Sequence, residues 1–187
     1  MKSLFCTLIT LSIVGCSVSN DERTTYIENS SPSLTVGTET NAVAQIVFDI
    51  QEQGSARQML VVNFPSVPYK SEFDLCAESG LYKDLESVTT NKDGKTYPKY
   101  KDAKFDCNSS MTLQKGFNGG YKLDYNLIFL KGYNVADMKG YDKLLPESRH
   151  MANNSYSVTK IGAELIQSVM SEGTVKKAIT VTATKLP

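Results

Sequence analysis

The chain has no tryptophan, a single histidine and no excess charge, with 20 Lys+Arg against 20 Asp+Glu over 187 residues. Balanced charge argues against a nucleic-acid binder, because such binding rests on neutralising phosphates. One histidine excludes a multi-histidine metal site and leaves little room for His-based acid–base catalysis. Cysteine is scarce, with four, and no two stand in Cys-x-x-Cys spacing. The apolar stretch at residues 4–14 covers only eleven residues, whereas a helix crossing a bilayer core needs about 20. What is left is one domain's worth of chain, and a body of that size buries roughly 68–70% of its unfolded surface.

The N-terminus carries the most specific signal. Met1-Lys2-Ser3 is a short positive start, and residues 4–14 have the length of a secretory h-region. Ile13-Val14-Gly15-Cys16 then resembles the lipobox of bacterial lipoproteins: an aliphatic residue, a small or aliphatic one, a small one, and cysteine. The resemblance implies that residues 1–15 are a signal peptide removed by cleavage. It further implies that Cys16 carries a diacylglycerol thioether and an N-linked acyl chain such as palmitate. Two or three acyl chains exceed the single chain that holds a protein only marginally. Ser17, where inner-membrane retention uses Asp, is similar to the class sorted to the outer membrane of diderm bacteria. The resemblance covers about the first sixteen residues and says nothing of the fold beyond them. The rival reading is an ordinary signal peptide cut after Ser17-Val18-Ser19, which releases a soluble protein.

Cleavage removes Cys6 and acylation occupies Cys16, which leaves Cys76 and Cys107. Outside the reducing cytosol an even remainder reads as one disulfide. Closing a 32-residue loop of this kind is worth about 3.7 kcal/mol on the chain-entropy estimate. A redox or catalytic thiol would need a Cys-x-x-Cys pair or a nearby histidine.

Fifteen of the twenty-five residues 17–41 are Ser, Thr, Asn, Pro or Gly. Residues 16–41 therefore read as the lipidated cysteine and a flexible linker, in which Leu34-Thr35-Val36 could add to a sheet edge. Residues 42–187 read as a single β-rich domain. Ala44, Ile46, Phe48 and Ile50 alternate with Gln45, Val47 and Asp49, and a return strand at residues 59–64 follows a Gly54 turn. Met111, Leu113 and Phe117 lie on one phase of a strand. Asn118-Gly119-Gly120 then turns the chain into Tyr121, Leu123, Tyr125, Leu127 and Phe129. Ile179, Val181 and Ala183 mark a final strand. Residues 135–145 suit a short helix capped by Asn134 and stopped by Pro146. Residues 158–171 fit either a helix or a strand that turns at Glu172-Gly173, and the hairpin is favoured. The expected class is mainly β, an antiparallel β-sandwich with one or two short helices.

No motif carries a catalytic or metal site. Ser157-Val158-Thr159-Lys160 matches Ser-x-x-Lys, but the Lys-Thr-Gly element that accompanies it in penicillin-binding enzymes is absent. His150 has no motif partner and reads as an exposed loop residue. Asn91-Lys92-Asp93-Gly94 fails the calcium-loop pattern at two ligand positions and reads as a β-turn. The best contact candidate is a loop in which Lys92, Lys95, Lys99, Lys101 and Lys104 interleave with Tyr97 and Tyr100. Over residues 92–104 five lysines face Asp93 and Asp102, a balance of +3. Lysines with aromatics suit an acidic partner, an anionic glycan or lipid headgroups.

Function is expected to be non-enzymatic and cofactor-free: an envelope-anchored lipoprotein held to a membrane, binding or assembling with a protein partner. Docking subunits of secretion systems and pili share this architecture. The alternatives are a surface adhesin or antigen, and an enzyme acting on cell wall or glycan through carboxylates assembled in space.

Overall fold

The computed structural model describes residues 26–28 and 33–187; of residues 26–28 and Asn118 it describes the backbone alone. The signal segment, Cys6 and Cys16 lie outside the described residues. Two five-stranded sheets pack face to face, and a two-stranded hairpin forms a ladder of its own. This is a β-sandwich, as the alternation of the sequence requires.

The first sheet is built on β3 (Ala44–Glu52) and β4 (Gln58–Phe64). Ala44, Ile46, Phe48 and Ile50 of β3 are buried, and Leu60, Val62 and Phe64 of β4 are buried opposite Phe48, Ile46 and Ala44. The other side of β3 holds β12 (Thr174–Lys185), where Ile179, Val181 and Ala183 pair with Ile50, Phe48 and Ile46. β11 (Gly162–Ser171) completes that edge, so the segment is a strand, and its turn uses Glu172 and Gly173 at positive φ. β2 (Ser33–Val36) lies on the far edge, parallel to β4 with Leu34 opposite Leu60. This one parallel pair arises because the chain crosses from β2 to β3 while β4 later fills the place between them. Buried Asn63 holds the crossing by donating to the Gly37 carbonyl at 3.2 Å and accepting from Gln45 at 2.8 Å. Gly37 has φ 76° there, and a Cβ would stand 2.7 Å from the Asn63 carbonyl oxygen, so only glycine fits.

The second sheet centres on β9 (Tyr121–Asp137), seventeen residues long. β8 (Asn108–Lys115) pairs with its first part, and β5 (Tyr69–Asp74) pairs with β8. β10 (Asp142–Val158) runs along the other edge of β9. β1 (Tyr26–Glu28) occupies the edge that β8 leaves free, with Tyr26 opposite Asn134. Met111, Leu113, Leu123, Leu127 and Phe129 fill the inner face. The two sheets meet where the Phe48 ring sits edge-on to Tyr125, with centroids 5.0 Å apart.

Four expectations change. Residues 135–145 are not helical: Asp137 ends β9, Asp142 starts β10, and Lys139 and Gly140 at φ 57° and 84° make a two-residue turn. Two consecutive positive φ values define the turn type that matches strand twist. Pro146, read as a helix stop, pairs with Tyr133 inside β10. The single helical element among the described residues is a 3₁₀ turn at Phe117–Gly119. Phe117 therefore leaves the strand and stands 99% exposed at the tip. His150 is exposed but lies in β10, where its Nε2 meets the Asn126 side chain. Finally, β1 brings residues 26–28 of the expected linker into a sheet, so strand structure among the described residues starts at Tyr26 instead of residue 42, while β2 adds residues 33–36 to a sheet edge as Leu34-Thr35-Val36 suggested.

Candidate functional site

The lysine–tyrosine segment is not a loop. It is β7 (Thr96–Lys104), paired with β6 (Leu81–Thr90) as a hairpin arm whose backbone pairs with neither sheet, although β6 packs on β10 and buries Leu85. No period marks it, because eight of the nine β7 residues are exposed, and an exposed strand shows no apolar alternation.

The root of the arm is clasped. Cys76 and Cys107 form the expected disulfide, with Cα atoms 5.2 Å apart. Asp74, at the end of β5, accepts the backbone N–H of both cysteines through Oδ1, each at 2.9 Å. Its Oδ2 accepts from Lys104 Nζ at 2.5 Å. Burial pushes the Asp74 pKa up, but Lys104 and the two N–H donors outweigh it and hold the carboxyl below its ordinary value. Asp74, Cys76 and Cys107 cluster like metal ligands, yet both sulfurs are spent on the disulfide and both carboxylate oxygens on hydrogen bonds. Gly80 is forced by close approach, since a Cβ would stand 2.3 Å from the Phe105 carbonyl oxygen. Tyr82 packs on Tyr133 with centroids 5.1 Å apart, and the Tyr133 hydroxyl donates to Ser79 O at 3.3 Å.

Along the shaft the lysines are answered from β6. Lys99 meets Glu86 at 2.5 Å, Lys101 meets Asp84 at 3.8 Å, and Lys83 pairs with Asp102. Lys104 also reaches Asp106 at 2.9 Å, and its carboxylate partners raise its pKa. Over residues 81–104 six lysines face four acids, so the +3 read from residues 92–104 falls to +2. β7 keeps a regular alternation, the bulge of this pair lying in β6 between Leu85 and Ser87. Tyr97, Lys99 and Lys101 thus share one face, and Tyr100 and Lys104 the other. Lys92 and Lys95 sit in the turn, where the Asn91 side chain accepts from the backbone N–H of Asp93 and Lys95 at 3.0 and 2.8 Å. The expected contact loop is therefore divided between two faces and a tip. Pro98 and the lysines also have a structural role, as they block pairing of another chain along this edge.

A second feature escaped the sequence reading. At the opposite end of β9 an open groove of about 610 Å³ is lined by Lys115, Phe117, Tyr121, Lys122, Ser155 and Ser157. Ser155 has φ 92° within a bulge of β10, and its N–H donates to Asp124 Oδ1 at 2.6 Å. Asp124 also meets Lys122 at 3.1 Å and Gln114 at 3.4 Å, so one carboxylate braces the groove floor. Two rings, two ammonium groups and two hydroxyls on a concave surface suit a polar ligand or peptide with anionic groups. The Asn-Gly-Gly turn was the only sequence cue, and it marked the turn without marking the exposed ring.

Between the sheets, Arg149 is 7% exposed and donates to Glu52 and, at 3.2 Å, to Gln58. Lys177 nearby has its pKa lowered, by burial first and then by the positive charges of Arg149 and Lys131. Comparison of the chain with protein-family models, with curated proteins and with solved structures finds no match.

Proposed function

We propose that the protein is a lipid-anchored envelope protein, tied to a membrane through Cys16, that works as a non-enzymatic binding or assembly accessory. The lipobox resemblance supplies the anchor, and Ser17 favours the outer membrane where the cell has one. One observation carries the binding role: the two ends of the sandwich are unlike. Tyr26, the first strand residue among the described ones, lies opposite Asn134, while the groove sits thirteen residues away along β9, at Tyr121. At about 3.3 Å per residue that is roughly 43 Å. The groove end is thus free to meet an envelope partner while the other end is held.

Crosslinking in living cells tests this reading. A photoreactive residue replacing Phe117 should capture a discrete partner in cells that make the lipidated full chain. Capture from Tyr97 or Tyr100 alone, with none from Phe117, would move the binding surface to the arm. No adduct from any of the three positions would contradict an accessory role.

A further inference from the structure

The path of the chain into the domain says which surface meets the membrane, and this inference rests on the Cys16 attachment proposed above. β1 runs antiparallel to β9 from Tyr26, opposite Asn134, to Glu28, opposite Gly132. The polypeptide therefore arrives from the end of the sandwich where β9 turns into β10. Nine residues lie between Cys16 and Tyr26, and the ten residue steps span at most about 33–36 Å. Beyond Asn134 the β9–β10 hairpin runs five residues further to Lys139, about 17 Å at strand rise. The arm ends at the same place, because the Tyr141 hydroxyl donates to Thr96 O at 3.0 Å and lies 3.1 Å from Thr96 Oγ1. A lipid surface holding Cys16 is then at most about 16–19 Å beyond these two turns, the difference between contour and overhang.

The chemistry of the two turns fits that surface. Residues 91–95 and 138–141 carry Lys92, Lys95 and Lys139 against Asp93, a balance of +2. Among the described residues these three lysines have no carboxylate within 4.0 Å, whereas Lys83, Lys99 and Lys101 on the shaft each have one and Lys104 has two. Met138 is 39% exposed and Tyr97 51% exposed beside them. Unpaired lysines with exposed tyrosine and methionine suit the headgroup layer, where ammonium groups meet phosphates and the apolar bodies meet the acyl boundary. We propose that the paired turns at residues 91–95 and 138–141 rest on the lipid headgroups of the membrane that holds Cys16. The Phe117 groove then points away from the lipid.

The test uses the full chain purified with its own lipid and reconstituted in phosphatidylethanolamine–phosphatidylglycerol vesicles that contain headgroup spin-labelled lipid. A fluorophore is attached at Lys92→Cys, Met138→Cys or Phe117→Cys, each in a separate preparation. Flotation with the vesicles is scored first, against Cys16→Ala. The expected result is flotation, with quenching at positions 92 and 138 at least threefold stronger than at 117. Flotation with equal quenching, or with stronger quenching at 117, would keep the anchor and overturn the orientation. Equal quenching is also what a protein partner covering the turns would give on bare vesicles. Failure of the wild type to float would remove the anchor, and the orientation with it.

Discussion

Asp74 and Lys104 lie thirty residues apart in sequence and 2.5 Å apart in space, and their pairing closes the root of the arm. The same carboxylate accepts the N–H groups of Cys76 and Cys107. One side chain therefore joins β5, the disulfide and β7. Since the folded state holds its pKa below the ordinary value, ionised Asp74 stabilises the fold. That contribution is complete above about 3.9, the unperturbed value, and is lost as pH falls through the lower folded-state value. Asp74→Asn should cost about 1–3 kcal/mol at pH 7. The loss should shrink towards zero in acid, as read by thermal unfolding from pH 7 to pH 2. A loss that does not change with pH would remove the charge from this account.

Arg149 is the buried charge that joins the sheets through Glu52 and Gln58. Arg149→Ala should destabilise by about 1–3 kcal/mol, because it removes the buried guanidinium that donates to the part-exposed Glu52 carboxylate and to Gln58. Arg149→Met combined with Glu52→Gln should recover most of that loss in chemical denaturation. If the double variant is as unstable as the single one, packing of the arginine stem matters more than its charge.

Tyr141 ties the two turns together through its hydroxyl, which donates to Thr96 O. Tyr141→Phe should leave global stability within about 1 kcal/mol, the net worth of one such bond. Amide exchange at residues 91–97 should accelerate severalfold, while the sandwich strands stay protected. Unchanged exchange at the arm would mean that the disulfide root alone sets its mobility.

The parts of this fold that were legible in the sequence are those where burial alternates. Ile46, Phe48 and Ile50, the Leu123–Tyr125–Leu127 series, and Ile179, Val181 and Ala183 all announce strands, because one face is buried. Residues 135–145 misled because Gly140 counts against a helix without revealing that Lys139, a residue that rarely takes positive φ, is its partner in the turn. β1 is too short to carry a period and exists because β9 offers it an open edge, whereas the apolar Leu34 and Val36 did mark β2 as an edge strand. The arm is nearly all exposed, so its lysines looked like one basic loop until β6 supplied Asp84 and Glu86. Arg149 was illegible for a different reason. Its burial depends on Glu52, ninety-seven residues away.

The membrane anchor and the orientation both depend on Cys16. Cells making the full chain or Cys16→Ala are labelled with radioactive palmitate, and the protein is then immunoprecipitated. The account predicts label on the wild type and none on the variant. Equal label on both, or none on the wild type, would contradict it.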